Sequence, residues 1–255
     1  MPEEEIGDMK EIVEERVVVS DLIRELAEKQ TVFRGSFCQG CGAVLGLKIA
    51  LQLIDNPVLV LSHDHISPIR EFLNIPIITS SNPAPAGAVI SRALNCNVLC
   101  YIDDKNTAEN LQSLLSTRKE NIIYISYNKG IKDEMLSEMI PSYSASASVS
   151  HLDDYINKIK KALYLRGLRF IELLSPCPES GFDPSNTVEV ARLGVESGAW
   201  PLYEVMKGKL SLTYNPTGLE PIENYLEAMQ ISKSEEEIKS LQESIRKNWK
   251  RLLKK

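Results

Sequence analysis

Short apolar runs that alternate with amphipathic segments constrain the fold of this chain more than any other feature. The runs have the length and composition of strands that are buried on both faces. They are Val58–Leu61, Ile75–Thr79, Val98–Ile102, Asn121–Tyr127 and Arg169–Leu174. The helices predicted between them include Ala43–Leu53, Gly87–Leu94, Thr107–Thr117 and Leu152–Tyr164. Strands that alternate with helices in this way favour an α/β fold with a parallel sheet.

The ends of the apolar pattern suggest where the chain divides. Arg169–Leu174 is predicted to be the last core strand, and Ser142–Ser150, which alternates serine with small residues, is typical of a mobile loop. The tail from Ser234 has acidic residues at its start and basic residues at its end, which a helix dipole favours. That helix is either solvated or a docking arm for a partner subunit. We therefore predict an acidic segment and helix over residues 1–30, a main domain over 31–232 and a charged C-terminal helix over 233–255.

Composition limits the classes of protein to which the chain can belong. Its 255 residues carry a formal net charge of −6, which disfavours non-specific nucleic-acid binding as its main task. No run approaches the roughly 20 apolar residues that cross a bilayer. The five cysteines form no disulfide-scaffold pattern, and their odd number favours a reducing cytoplasm. We expect a cytoplasmic protein that binds neither nucleic acid nor membrane.

Three cysteines in two distant motifs are the candidate metal ligands. Cys38 and Cys41 are two residues apart on a glycine-rich turn, and Cys177 lies between two prolines. Three thiolates brought together by the fold suggest an iron–sulfur cluster or a zinc ion. An isolated Cys-x-x-Cys pair is also compatible with a redox switch or with chance. Cys96 and Cys100 are predicted to be small buried apolar residues.

Polar side chains follow several predicted strands. The segments are His63–His65, Asp103–Asp104 and the loop that carries Cys177. Open parallel sheets bind ligands at the carboxyl ends of their strands, so these segments are expected at the ligand-binding edge. Asp103 and Asp104 are candidates for a divalent cation site, although paired acids at a strand end are often only a helix cap.

Three longer motifs carry a resemblance to a known family. They are Phe37-Cys-Gln-Gly-Cys-Gly-Ala43, Leu174-Ser-Pro-Cys-Pro178 and Ala191-Arg-Leu-Gly-Val-Glu-Ser-Gly-Ala-Trp-Pro-Leu-Tyr-Glu204. From about Phe33 to Ile231 the chain resembles the β subunit of 2-oxoacid:ferredoxin oxidoreductases, and it is most similar to the pyruvate enzyme.

The resemblance implies a fold, cofactors and partners. The fold is the thiamine-diphosphate-binding α/β fold, a parallel sheet with helices on both faces. The implied cofactors are thiamine diphosphate, Mg²⁺ and a 4Fe-4S cluster. The implied partners are the α, γ and δ subunits, ferredoxin, coenzyme A and a 2-oxoacid. In such a complex the thiamine ring supports decarboxylation, and the protein supplies position and electrostatics.

The resemblance also assigns the metal ligands. Cys38, Cys41 and Cys177 match three of the family's four cluster ligands. The fourth, a cysteine in the family, corresponds to His65 or to a residue next to it. Either His65 takes over as a nitrogen ligand or the cluster is lost. A Cys₃His set is also one that zinc accepts in a closed tetrahedral site.

The thiamine site departs from the family pattern. Asp103 matches the aspartate that binds Mg²⁺, but Ile102 and Asp104 replace the two glycines around it. Their side chains crowd the turn, and a second carboxylate opposes an anionic diphosphate. Asn128 is the predicted second Mg²⁺ ligand, although a shift of one residue would put Lys129 there instead.

The resemblance therefore implies one main function and two alternatives. The main one is a β-type subunit that takes part in the oxidative decarboxylation of a 2-oxoacid to acyl-CoA, with electron transfer through a cluster to ferredoxin. The first alternative is a divergent paralogue that keeps the fold and subunit contacts, binds zinc and has lost thiamine diphosphate. The other is a stand-alone metal sensor that uses the Cys₃His set.

Overall fold

The computed structural model describes residues 38–62, 73–109, 111–117, 119–131 and 143–254. The predicted helix within residues 1–30 and the candidate ligand His65 lie outside the described residues. Within the described ranges, no helix combines the length and the apolar character needed to cross a bilayer.

A mixed, mostly parallel sheet forms the centre of the described structure. Its strands are β1 (Val58–Leu61), β2 (Ile77–Thr79), β3 (Val98–Asp103), β4 (Ile122–Asn128), β5 (Tyr143–Ser148), β6 (Leu168–Leu174), β7 (Tyr203–Met206) and β8 (Lys209–Leu212). Among these residues the strand order is β2-β1-β3-β4-β6-β5-β7-β8. The pairs from β2 to β5 are parallel, and β7 pairs antiparallel with β5 and with β8.

Helices cover both faces of this sheet. The helices are α1 (Gly42–Leu53), α2 (Pro83–Leu94), α3 (Asp104–Glu109), α4 (Leu111–Ser116), α5 (Leu152–Tyr164), α6 (Thr187–Glu196), α7 (Ile222–Ala228) and α8 (Glu235–Leu252). Helix α2 packs on the face that carries Cys100 and Tyr124. Helix α1 approaches Tyr101 and Leu173 at Gly46, on the opposite face, because side chains alternate along a strand. The predicted α/β fold class is confirmed, with an antiparallel edge added.

The predicted loop over Ser142–Ser150 is wrong, because β5 lies between β6 and β7 and every residue in it is buried. Its small residues suit close packing rather than solvent exposure. The Ser146 hydroxyl donates to the Pro201 carbonyl and accepts from the Tyr203 N–H, and the indole N–H of Trp200 donates to the Ala147 carbonyl. These internal partners allow a serine-rich segment to lie in a core.

Arg169–Leu174 is also not the last strand of the sheet, as the β7–β8 hairpin extends it. Lys207 and Gly208 connect the two strands with φ of 52° and 76°. Positive φ at both turn residues is typical of the two-residue hairpin turn that matches the strand twist.

Helix α8 begins with a capping box, in which the side chains of Ser234 and Glu237 each bond the other residue's backbone N–H. Trp249 and Leu252 pack in a buried cluster with residues of the β7–β8 hairpin. The C-terminal helix is therefore anchored by an apolar face and is not merely solvated. Its basic residues Lys247, Lys250 and Lys254 remain exposed.

A buried lysine joins α5 to the antiparallel edge. Lys158 is 1% exposed. Its ammonium donates to the Ser146 carbonyl at 2.7 Å and to the Thr213 hydroxyl at 2.8 Å, and it forms an ion pair with Asp154. An ammonium that is this deeply buried persists only when its donors are satisfied.

We expect Lys158→Met to lower the free energy of unfolding by about 2 kcal/mol, because it leaves the Asp154 carboxylate and a buried carbonyl without their partner. Urea denaturation measures the change. Lys160→Met, on the same helix but half-buried, is the matched control. If the two variants lose equal stability, the polar contacts of Lys158 contribute nothing beyond its hydrophobic stem.

Candidate functional site

Two distant cysteine motifs meet in this structure. The sulfur atoms of Cys38 and Cys177 lie 3.7 Å apart although 139 residues separate them. The Cys41 thiol interacts with both of these sulfurs. Cys41 and Cys177 are buried and Cys38 is half-buried. The structure thus brings together all three cysteines that the sequence predicted as ligands.

Two glycines permit this close approach. Gly42 opens α1, and its N–H donates to the Pro176 carbonyl at 3.2 Å. A Cβ atom at Gly42 would lie 2.6 Å from that carbonyl oxygen, closer than real Cβ contacts allow. Gly40 has φ of +65°, and its carbonyl accepts a hydrogen bond from the Thr187 hydroxyl at 2.6 Å. The glycines of the Cys-Gln-Gly-Cys-Gly motif therefore hold its cysteines against the Cys177 loop.

The three thiols do not share charge equally. Hydrogen bonding to Cys177, together with burial, raises the pKa of Cys41, and burial is the main cause that raises the pKa of Cys38. The hydrogen bond from the Cys41 thiol lowers the pKa of Cys177 by more than burial raises it. Cys177 is therefore the preferred thiolate of the group, and the thiolate is the form that binds a metal.

The sulfur spacing bears on which metal these residues fit. Two thiolates on one tetrahedral zinc ion, with Zn–S of about 2.3 Å, lie about 3.8 Å apart. The 3.7 Å between Cys38 and Cys177 is compatible with that edge, and it is equally the length of a hydrogen bond between two thiols. A four-iron cluster holds its thiolates farther apart, since each binds a different iron. An open cavity of about 400 Å³ borders Cys38 and Cys41, so one side of the site has room for such an adjustment.

Glu179 is a ligand candidate that the sequence reasoning missed. Its carboxylate and the sulfurs of Cys38 and Cys177 lie within 4.8 Å of one another. The available signal was its position two residues after Cys177, in the short turn Pro178–Ser180. Its carboxylate oxygen is a ligand that zinc also accepts.

The predicted Mg²⁺ ligands Asp103 and Asn128 do not converge. Asp103 is the register partner of Tyr127, so the alternation of side chains puts Asn128 on the opposite face of the sheet. There the Asn128 amide donates to an Asp104 carboxylate oxygen at 3.0 Å, and its own oxygen accepts from the Gly130 N–H at 2.8 Å. The two predicted ligands therefore form no shared cation site in this arrangement.

Lys129 meets Asp103 instead. Its ammonium lies 3.3 Å from Oδ2 of Asp103, while Oδ1 accepts the N–H of Lys105 at 3.0 Å. Asp103 thus caps α3. This is the helix-capping role that was predicted from the sequence as the alternative to a cation site. With Ile102 buried in the core and Asp104 beside the turn, these residues do not fit Mg²⁺ and a diphosphate.

The remaining cysteines lie away from both sites. Cys100 is fully buried and packs in the core under α2, and Cys96 packs against the same cluster. Burial raises the pKa of Cys100. They act as small apolar residues, as predicted.

Known proteins resemble the chain over most of its length. A scan against models of protein families finds none that matches. The pyruvate synthase subunit PorB of Methanothermobacter marburgensis is 34% identical over 245 residues, an alignment that covers 75% of this chain and 85% of the relative. The ketoisovalerate oxidoreductase subunit VorB of Pyrococcus horikoshii is 34% identical over 141 residues, which cover 53% of this chain and 45% of that protein.

A solved structure has the same fold. It is a 2-oxoglutarate:ferredoxin oxidoreductase from Magnetococcus marinus, which superimposes with a TM-score of 0.53 over 85% of this chain and 95% of that chain, at 14% identity. Identity this low supports the fold alone, whereas the long alignments to pyruvate synthase subunits bear on the family. On those alignments, and on the motifs that carry its three clustered cysteines, the chain belongs to the family of β subunits of 2-oxoacid:ferredoxin oxidoreductases.

Proposed function

We propose that this chain is a β-type subunit of a cytoplasmic complex that converts a 2-oxoacid and coenzyme A to acyl-CoA and reduces ferredoxin. Its partners in that complex are the α, γ and δ chains. The observation that carries the proposal is the meeting of Cys38, Cys41 and Cys177 in a chain of this family.

The contribution of this chain is a sulfur-ligand metal site. Cys38, Cys177 and Glu179 supply ligand atoms that lie within 4.8 Å of one another, and the Cys41 thiol interacts with both sulfurs of that group. An iron–sulfur cluster bound there provides one-electron transfer, and zinc provides only structural support. Burial of Cys41 and Cys177 excludes water from the inner side of the site, whereas Cys38 lies at the cavity.

A second candidate function is a non-catalytic paralogue that keeps the fold and the subunit contacts and binds zinc. The contact between Lys129 and Asp103 favours it, since an ammonium stands beside the carboxylate that the family uses for Mg²⁺. Thiamine diphosphate and Mg²⁺, the cofactors that the resemblance implies for the first candidate, do not fit the residues around Asp103 in this chain.

Anaerobic co-expression of this chain with its proposed α, γ and δ partners tests both candidates. Co-purification of the four chains supports a subunit role, and recovery of this chain alone would contradict it. A brown preparation with iron, sulfide and broad absorption near about 400 nm supports the electron-transfer site. A colourless complex with about one zinc ion per chain supports the paralogue. Reduction of ferredoxin with 2-oxoacid and coenzyme A then tests the activity of the complex.

A further inference from the structure

The ammonium of Lys129 lies at the carboxyl end of β3 and β4, next to Asp103. A Mg²⁺ site at Asp103 would need an oxygen ligand in that position. Asp103 pairs with Tyr127 near the end of β4, and Lys129 follows two residues later, just past the last residue of that strand. Its ammonium lies 3.3 Å from Oδ2 of Asp103. We propose that Lys129 takes the place of a divalent cation at Asp103, so that this chain binds neither Mg²⁺ nor the diphosphate of thiamine there.

Both oxygens of the Asp103 carboxylate have partners within the chain. Oδ1 accepts the N–H of Lys105 and Oδ2 pairs with Lys129. The Asp103 side chain is only 13% exposed. A hard cation would have to displace the ammonium to reach this carboxylate, and Mg²⁺ gives up its hydration shell reluctantly.

Neighbouring acidic groups favour the charged form of Lys129. The pKa of Lys129 is raised overall: burial lowers it, and the charge of Asp103 and its hydrogen bond raise it. The charges of Cys177 and Glu179 act in the same direction. The Lys129 ammonium and the Asp103 carboxylate therefore form an ion pair at the carboxyl end of the sheet.

The backbone at the end of β3 also opposes a diphosphate. Strand β3 passes directly into α3 at Asp104, and Ile102 is fully buried in the core beneath α2. A diphosphate is usually held by a glycine-rich turn that offers free N–H groups. Here the N–H of Lys105 is bonded to Asp103 and a second carboxylate, Asp104, stands at the turn. The backbone geometry at the end of β3 and the negative charge of Asp104 therefore both oppose the binding of a diphosphate there.

Electron paramagnetic resonance of Mn²⁺, a probe for Mg²⁺ sites, tests the proposal on the full chain with and without thiamine diphosphate. We expect Lys129→Ala to bind Mn²⁺ about tenfold more tightly than the wild type, since it frees Oδ2 of Asp103. Lys105→Ala is the matched control, because it removes a neighbouring positive charge and keeps the backbone N–H that Asp103 accepts. The double variant Asp103→Asn/Lys129→Ala should return to wild-type binding.

Two results would overturn the proposal. One is saturable binding of thiamine diphosphate and Mg²⁺ by the wild type in a calorimetric titration, which needs no variant to fold. The other is equal Mn²⁺ affinity of the wild type and Lys129→Ala when circular dichroism shows both to be folded. Neither result depends on co-purification with partner subunits, so failure of the subunit proposal is distinguishable from failure of this one.

Discussion

Replacing Cys177 with serine is expected to reduce the metal content of the anaerobically purified protein to less than about a tenth of the wild-type value. Cys177 is the preferred thiolate of the three, its sulfur lies 3.7 Å from that of Cys38, and it hydrogen-bonds to Cys41. A serine hydroxyl stays protonated at neutral pH and is a poor ligand for zinc or iron at a thiolate site. Measurement of zinc, iron and sulfide per chain checks the result.

The same variant should change the response to metal removal. Because the site joins the turn at Cys38 to the loop at Cys177, metal bound there stabilises the folded state. A chelator should therefore lower the Tm of the wild type and leave the Tm of Cys177→Ser nearly unchanged. Cys96→Ser, half-buried in a separate cluster, is the matched control and should keep wild-type metal content. Full metal loading of Cys177→Ser would show that this cysteine is not a ligand.

The main strands could be predicted because their composition leaves few alternatives. The Val58–Leu61 run is β1 at the same residues, and the strand predicted at Asn121–Tyr127 is β4 one residue later. The meeting of Cys38 and Cys41 with Cys177 was predicted from the family motifs, and only Cys177 was expected from its place after a strand. A run of apolar residues predicts a buried strand, and strands that alternate with helices predict a common edge where the strands end.

Two features could not be predicted from the sequence, each for a physical reason. They are strand β5 and the face of the sheet on which the Asn128 side chain lies. Serine and alanine in β5 are buried, and they bond residues more than 50 positions away: the Trp200 indole donates to Ala147 and Ser146 donates to the Pro201 carbonyl. No local sequence pattern reports such contacts. Side chains alternate along a strand, so an uncertainty of one residue in register exchanges the two faces. That single step separates Asn128, which meets Asp104, from Lys129, which meets Asp103.

Gly42→Ala should lower the free energy of unfolding by about 3 kcal/mol, against what helix propensity predicts. Gly42 is helical, and alanine is favoured over glycine inside a helix by up to about 1 kcal/mol. An added Cβ would lie 2.6 Å from the Pro176 oxygen and 2.7 Å from the Ser175 carbonyl carbon. These are backbone atoms, so relief requires the Cys41 turn and the Cys177 loop to move apart.

Metal affinity should fall with stability in this variant, because the cysteines of the two segments separate. Urea denaturation and zinc or iron content measure the two effects on the same preparation. Gly218→Ala, where a Cβ has open space, is the matched control and should change neither. If Gly42→Ala is instead stabilised by its gain in helix propensity and keeps its metal, the contact between α1 and the Pro176 backbone does not hold the cysteines together.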